Sequence, residues 1–329
     1  MENLEEIKKI TDPIYKKISK VMPEIEWSVH APYIFKINKL KKEKNAVILA
    51  HNYQTPEIYH GISDFSADSL ALAVEAAKTK ADIIVMCGVH FMAETAKLMS
   101  PNKKVLLPDM RAGCSLSSSI TGEDVRNLKK KNPGVPVVSY VNTSADVKAE
   151  TDVCCTSANA VKIVNSLGVK KVIFLPDDYL AKYVATQTDV EIISWKGTCE
   201  VHEQFNDQEI NEIRKNNPGI KVIAHPECPP DVINACDFTG STSGMIKYVR
   251  DNQPEKVMMV TECSMSDNVQ VDNPNVKFIK PCNLCPHMKR ITLPKILDCL
   301  KNETNEILMS EKTIAKARKS VEKMTEIGR

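Results

Sequence analysis

A threefold internal repeat is the feature of this chain that most limits its possible folds. The segments "KKNPGVPVVSYVN" at 130–142 and "KNNPGIKVIAHPE" at 215–227 are closely similar, and "NAVILAHNY" at 45–53 begins an earlier copy. In each copy an apolar run is followed by a segment of helical period and then by two further apolar runs. Alternation of strands and helices favours a parallel sheet that is covered by helices on both faces.

The repeat predicts the architecture and the domain organisation. We expect an α/β fold of three similar α/β/α sandwich domains with parallel sheets, arranged around a pseudo-threefold axis. These units are expected at 37–135, 136–219 and 220–300, with an N-terminal helical segment at 1–36 and a C-terminal helix at 301–329. Ligands of open α/β sheets bind beyond the carboxyl ends of the strands, so one shared central site is expected.

Polar side chains follow the first strand of each unit. They are His51 and Tyr53 in the first unit, Tyr140 and Asn142 in the second, and His225 and Glu227 in the third. A single histidine in a loop is usually structural, but three equivalent loops favour groups that bind oxyanions and move protons. Glu227 is the one carboxylate among them, and it suits a general acid or base if burial raises its pKa.

A hydroxyl side chain opens the first helical segment of each unit. Ser69, Ser157 and Thr242 hold this position and are predicted to act as N-caps. Three helix N-termini that face one centre would also attract a phosphate or carboxylate group. The chain has no Walker A pattern and no Gly-x-Gly-x-x-Gly, and it contains only 11 glycines, which disfavours nucleotide binding of those types.

One cysteine follows the third predicted strand of each unit. Cys114, Cys199 and Cys285 therefore occupy equivalent loops, although a free cysteine is ordinarily a small buried side chain. Three converging thiolates suit a metal ion or an iron–sulfur cluster. Zinc would take a fourth ligand, for which Cys282 is the candidate. A cubane cluster would instead leave one iron open as a Lewis acid.

Composition excludes several classes of function. The net charge of +2 gives no basic field for nucleic acid, and 5% aromatic residues argue against base-stacking platforms. No apolar run approaches the ~20 residues that a membrane span needs. The N-terminal stretch lacks the apolar region of a signal peptide, so we expect a cytoplasmic protein with no membrane partner. Eleven cysteines in that compartment are not expected to form a disulfide framework.

A set of motifs in this chain resembles the quinolinate synthase family of NAD biosynthesis. The matching stretches include "AHNYQ", "DFSADSLALA", "PDMRAGCSLS", "GTCEVHEQF", "HPECPPDV" and "CPHMKRITL", and they lie in order between residues 50 and 293. The resemblance implies three α/β/α domains around a pseudo-threefold axis. It also implies a 4Fe–4S cluster with one open iron, bound by Cys114, Cys199 and Cys285.

The resemblance further implies a reaction and its partners. The substrates would be iminoaspartate and dihydroxyacetone phosphate, and the products quinolinate, phosphate and water. The open iron would hold a carboxylate or the leaving hydroxyl of the substrate. Because L-aspartate oxidase or aspartate dehydrogenase makes iminoaspartate, a functional link to one of these enzymes is expected.

Residue roles carried over from the resemblance fall on matching positions of this sequence. Tyr53 and Glu227 would form the acid–base pair, with His51, Tyr140 and His225 as further catalytic groups. Substrate contacts would come from His51, Ser69, Tyr140, Val141, Asn142, Ser157, His225, Pro226, Glu227 and Thr242. Cys282 would not be needed for the cluster, although it could pair with Cys285 in a disulfide.

Two other interpretations fit part of the pattern. Another 4Fe–4S hydro-lyase acting on a small carboxylate would use the same open iron, and analysis of the products would distinguish it. A zinc-stapled α/β binding protein would use Cys282 with the three repeat cysteines. One zinc without sulfide in a metal analysis would identify that second case.

Overall fold

The computed structural model describes residues 4–328 and contains three parallel sheets of four strands each. The first sheet consists of β1 (Ala46–His51), β2 (Phe65–Ala67), β3 (Ile83–Cys87) and β4 (Lys104–Leu106). The second consists of β5 (Val137–Tyr140), β6 (Val153–Cys155), β7 (Lys171–Leu175) and β8 (Glu191–Ser194). The third consists of β9 (Lys221–Ala224), β10 (Phe238–Thr239), β11 (Lys256–Val260) and β12 (Lys277–Ile279).

The three sheets share one topology. Each has its second strand at an edge, followed by the first, third and fourth, and all neighbouring strands run parallel. This confirms the predicted fold class of three similar α/β units. Residues 1–3 and 329, at the outer ends of the predicted terminal segments, lie outside the described residues.

Helices flank and connect the sheets. Those before the second sheet are α1 (Leu4–Ile18), α2 (Glu24–Glu43), α3 (Pro56–Tyr59), α4 (Ser69–Lys78), α5 (His90–Met99), α6 (Ser115–Ser118) and α7 (Gly122–Lys131). Those that follow are α8 (Ala145–Ala149), α9 (Ala160–Ser166), α10 (Asp178–Ala185), α11 (Asp207–Asn216), α12 (Pro230–Asn234), α13 (Thr242–Asn252), α14 (Cys263–Asp272), α15 (Leu293–Asn302) and α16 (Glu311–Ile327). None of the helices in the described part of the chain is long and apolar enough to cross a membrane.

The terminal helices pack on the sheets of the first two units. Helix α15 lies against α2, and α16 lies against α8, β6 and α5. The Ser310 hydroxyl caps α16 by accepting a hydrogen bond from the Thr313 N–H at 3.1 Å. The third sheet has a separate apolar core on each face, because Val222 and Ala224 of β9 point to one side and Ile223 points to the other.

The second strand of each sheet is absent from the sequence prediction. Strands β2, β6 and β10 contain only two or three residues each, which is too short for a period of two to be visible. Cys154 and Cys155 lie in β6 and are fully buried.

An aspartate ties the chain before each of these short strands to the first strand. Asp64, Asp152 and Asp237 hold this position, and their partners are Ile48, Val137 and Val222. In every case the carboxylate accepts the partner's backbone N–H at 2.8 Å, while the aspartate's own N–H donates to the same residue's carbonyl. The repeated aspartate therefore closes the loop that carries the polar strand-end residues.

The predicted N-caps are wrong by one residue in two units. Asp68 caps α4 and Ser241 caps α13, so Ser69 and Thr242 are the first helical residues. In the second unit α9 begins at Ala160, three positions after Ser157. Because Asp68 and Ser241 do the capping in the first and third units, the hydroxyls of Ser69 and Thr242 are released from that role.

The aspartate tie predicts a stability effect. Asp152→Ala removes the acceptor of the buried Val137 N–H and should lower the free energy of unfolding by about 1–3 kcal/mol in a urea titration. The exposed Asp189→Ala is a matched control and should change it by less than about 0.5 kcal/mol. Equal losses in the two variants would contradict the assignment.

Candidate active site

The carboxyl ends of strands from all three sheets border one cavity. Most of the predicted site residues line it. These are His51, Tyr53, Ser69, Cys114, Tyr140, Asn142, Ser157, Cys199, His225, Glu227, Thr242 and Cys285. Val141 and Pro226 do not line it; the Val141 carbonyl instead accepts a hydrogen bond from the buried Lys148 ammonium. The convergence agrees with three units around a common axis.

Two of the strand-end histidines are held in the same way. The Nδ1 atom of His51 accepts the Tyr53 backbone N–H at 3.2 Å, and Nδ1 of His225 accepts the Glu227 N–H at 3.4 Å. Burial lowers the pKa of His51 to about 4 and that of His225 to about 3. Both rings are therefore neutral and carry their proton on Nε2, which for His225 lies 3.1 Å from the Ser157 hydroxyl.

Glu227 is a buried carboxylate surrounded by donors. Its Oε2 atom lies 2.7 Å from Nδ1 of His202, and it accepts a hydrogen bond from the Tyr140 hydroxyl. Burial alone would raise its pKa, but the hydrogen bonds from His202 and Tyr140 hold it below the usual range. The pKa of Glu227 is therefore lowered overall and not raised, so the condition set from the sequence is not met, and the side chain is an ionised carboxylate.

The two tyrosines remain protonated. Burial and the nearby charge of Glu227 raise the pKa of Tyr53 and of Tyr140 well above the ordinary value. The Tyr53 hydroxyl lies 2.6 Å from the hydroxyl of Thr261. The cavity thus holds phenol donors beside an ionised carboxylate.

The three repeat cysteines occupy equivalent backbone settings. Each sulfur accepts hydrogen bonds from the backbone N–H groups two and three residues further along the chain. The donors are Leu116 and Ser117 for Cys114, Val201 and His202 for Cys199, and His287 and Met288 for Cys285. Such N–H groups stabilise a thiolate, and no bond of this kind stabilises Cys87 or Cys155 among the described residues.

Burial keeps these three sulfurs protonated when no metal binds them. It raises the pKa of Cys114 to about 12 and that of Cys285 to about 11, and it raises the pKa of Cys199 strongly as well. A metal would displace the protons, and the N–H groups are already directed at the sulfurs. The set of three thiols in one cavity therefore fits a metal or cluster.

Comparison with known proteins agrees with this site. The family model described as "Quinolinate synthetase A protein" matches residues 35–326. The quinolinate synthase of Sinorhizobium fredii is 59% identical over 96% of this chain and 88% of its own length. That of Caulobacter vibrioides is 56% identical over 98% and 89%, respectively.

The chain belongs to the quinolinate synthase family. This makes it an enzyme of NAD biosynthesis. A further similar relative is the quinolinate synthase of Xylella fastidiosa, which is 59% identical over 88% of this chain.

Cys282 is not available as a fourth thiolate in this quinolinate synthase family member. It forms a disulfide with Cys263, 19 residues earlier, and not with Cys285. The zinc-stapled interpretation needed Cys282 as a ligand, so the disulfide removes its basis. The other nine cysteines are free thiols.

The sequence patterns did not predict two residues that lie at or beside the cavity, His202 and Thr261. His202 is buried, contacts Glu227, and lies 3.1 Å from the Cys199 sulfur through Nδ1. Its position three residues after a repeat cysteine, within "GTCEVHEQF", was a usable indication. Thr261 follows β11, and the register of the sheets makes Gly88 and Pro176 its equivalents. Because neither carries a polar side chain, the repeat gave no indication of Thr261.

The disulfide can be checked by counting thiols. Alkylation of the denatured, metal-free protein should modify nine thiols before reduction and all eleven cysteines after it. In Cys282→Ser the count should be the same before and after reduction, since Cys263 loses its partner. Eleven thiols before reduction in the unmodified chain would show that the bond does not form.

Proposed function

We propose that this protein condenses iminoaspartate with dihydroxyacetone phosphate to give quinolinate, phosphate and water. We further propose that Cys114, Cys199 and Cys285 hold a 4Fe–4S cluster for this reaction. The observation that carries the proposal is the convergence of three thiols, each with two backbone N–H donors, on the cavity that contains Glu227. The family membership supports the same reaction.

The donor set suits a cluster better than a structural zinc ion. Three thiols without a fourth cysteine leave one iron unligated by protein, and Cys282 is engaged in a disulfide. When bound, the cluster would supply a Lewis-acidic iron that can accept a carboxylate or hydroxyl oxygen of the substrate.

The residues that would bind the anionic substrates are neutral donors. His51 and His225 carry their protons on Nε2, and Ser69 and Thr242 lie at the first positions of α4 and α13. The Thr242 oxygen already accepts from the Asn52 amide at 2.9 Å, so its own O–H remains to donate. These groups together suit the carboxylates of iminoaspartate and the phosphate of the triose.

Asn142 would accept a hydrogen bond from a donor group on the substrate. Its side-chain carbonyl oxygen is buried and accepts no hydrogen bond from the described residues. A buried acceptor without a partner is costly, and a substrate N–H or O–H would satisfy it. We therefore assign Asn142 to substrate binding, together with Tyr140 and Ser157.

Glu227 and Tyr53 would move the protons. The ionised Glu227 would remove a proton from carbon during isomerisation of the triose and during dehydration. The protonated Tyr53 phenol would donate to the oxygen that accepts charge or leaves. Tyr140 would hold the Glu227 carboxylate in place through its hydroxyl.

We also propose a cytoplasmic location and a functional link to L-aspartate oxidase or aspartate dehydrogenase. The link rests on the chemistry of iminoaspartate, because either enzyme produces it by oxidising aspartate.

The cluster assignment predicts a metal analysis. Protein purified without oxygen should be brown and contain about four irons and about four sulfides per chain. Cys285→Ser should lose the cluster, whereas the matched Cys282→Ser should keep it, since Cys282 is bonded elsewhere. Protein with one zinc and no sulfide would refute the assignment.

The role of Glu227 predicts a selective loss of turnover. Glu227→Gln should keep its iron and absorption spectrum but form quinolinate about 10²–10⁴-fold more slowly, because the amide cannot accept a proton. A rate equal to that of the unmodified enzyme would rule out this role. Iron-replete unmodified protein that makes no quinolinate from the two substrates would instead favour another hydro-lyase.

A further inference from the structure

We propose that Lys148 is a positioning residue for this reaction, whose side-chain nitrogen holds the turn that presents Asn142 to the substrate. In the other two units a histidine ring holds the equivalent turn. The inference rests on the proposed function, because Asn142 is assigned there to substrate binding.

Asn142 lies at the tip of a three-residue turn that follows β5. The Thr143 N–H donates to the Val141 carbonyl at 2.8 Å and so closes the turn around Asn142. Asn142 lines the cavity, and its buried side-chain oxygen has no hydrogen-bond partner among the described residues. The direction of that oxygen therefore depends on the turn and not on a contact of its own.

Lys148 binds both carbonyl groups that flank Asn142. Its Nζ atom donates to the Val141 carbonyl at 2.8 Å and also to the Thr143 carbonyl. The same atom lies 5.5 Å from the centre of the Phe91 ring, whose face favours a cation. Lys148 is fully buried and is not among the residues that line the cavity, so it has no direct contact with a bound substrate.

The helix that carries Lys148 is held by two other parts of the chain. At the start of α8 the Ala145 N–H donates to the Glu94 carboxylate of the first unit at 3.0 Å. At its other end the Ser320 hydroxyl of α16 donates to the Lys148 carbonyl at 3.0 Å. The nitrogen that holds the Asn142 turn is thus fixed by the first unit and by the C-terminal helix.

The other two units hold the equivalent turns with a histidine. In the first unit Nδ1 of His51 accepts the Tyr53 N–H, and the strand-end histidine of the third unit makes the same bond. The second unit has Tyr140 at this position, and a phenol ring has no nitrogen that could accept such a bond. The turn around Asn142 therefore needs another support.

The lysine occurs only in the unit that lacks this histidine. Lys148 lies eight residues after Tyr140, and the equally spaced residues of the other units are Tyr59 and Ile233. The three positions fall on the short helices α3, α8 and α12. Of these side chains only lysine can donate to two carbonyl groups at once. A tyrosine at the strand end is thus accompanied by a lysine on the next helix.

The test measures the kinetics of Lys148→Met in the cluster-loaded enzyme. Methionine has nearly the length of lysine but no donor, so the turn loses both bonds. We expect KM for at least one of the two substrates to rise about 10- to 100-fold, because Asn142 is displaced. The iron content should be unchanged, and kcat should stay within about threefold, because a binding contact is lost and not a reacting group.

Lys97→Met is the matched control. Lys97 is also buried and donates to the Lys103 carbonyl at 2.7 Å, but this bond lies beside the amino end of β4, away from the cavity. The control should therefore leave both KM values unchanged. Equal rises in KM for the two variants, an unchanged KM in Lys148→Met, or loss of its iron would each overturn the proposal.

A double-mutant cycle with Asn142→Ala separates positioning from packing. If Lys148 acts through Asn142, adding Lys148→Met to Asn142→Ala should raise KM by less than about twofold more. Rises that multiply in full would overturn the proposal. If Lys148→Met does not fold by circular dichroism, Lys148→Gln enters the same cycle, since its side chain stays polar but is one bond shorter. An unchanged KM in that variant would also overturn the proposal.

The result is independent of the test of the proposed function. If the unmodified, iron-loaded chain forms no quinolinate, the proposed function fails before Lys148 is tested. If that chain is active and Lys148→Met has the same KM values, only the role of Lys148 fails.

Discussion

The buried negative charge of Glu227 is the constraint on which the site depends. A carboxylate with 3% exposure is stable only if ionic hydrogen bonds replace its lost hydration. Its donors, His202 and Tyr140, follow strands of the second sheet, whereas Glu227 itself follows β9 of the third. The charge is therefore satisfied only when the two sheets meet with their carboxyl ends together. Tyr53 then completes the cavity from the first sheet.

The three units share their hydrogen bonds to the backbone more closely than they share the side chains that face the cavity. The aspartate tie, the histidine Nδ1 bond in two of the loops, and the pair of N–H groups at each cysteine sulfur recur because they depend on chain conformation. The side chains directed into the cavity differ from unit to unit. A repeated scaffold with unequal side chains thus places one thiol from every unit at the cavity, but a carboxylate at the strand-end position of the third unit alone, Glu227.

The repeat explains what the sequence could and could not predict. Strand-end residues such as His51 and cluster candidates such as Cys114 recur at fixed spacing, so their meeting in one cavity follows from parallel sheets. The helix caps were misassigned because Asp68 precedes Ser69, and both are good caps. The pKa of Glu227 depends on His202, which no periodicity placed beside it. The Cys263–Cys282 bond was missed because neither cysteine has an equivalent in the other units.

The loop of the third cysteine is held by a disulfide and by contacts to a buried carboxylate. It is anchored by the Cys263–Cys282 bond, and the buried Glu262 carboxylate accepts the Cys285 N–H at 3.4 Å. Glu262 also pairs with Lys289 at 2.8 Å, and Lys289 donates to the Tyr53 carbonyl at 2.9 Å. A displacement of the Cys285 loop would therefore reach the backbone of Tyr53 through one ion pair. Because the Glu262 carboxylate of that pair is fully buried, breaking the pair is costly, which couples the Cys285 loop of the third unit to Tyr53 of the first.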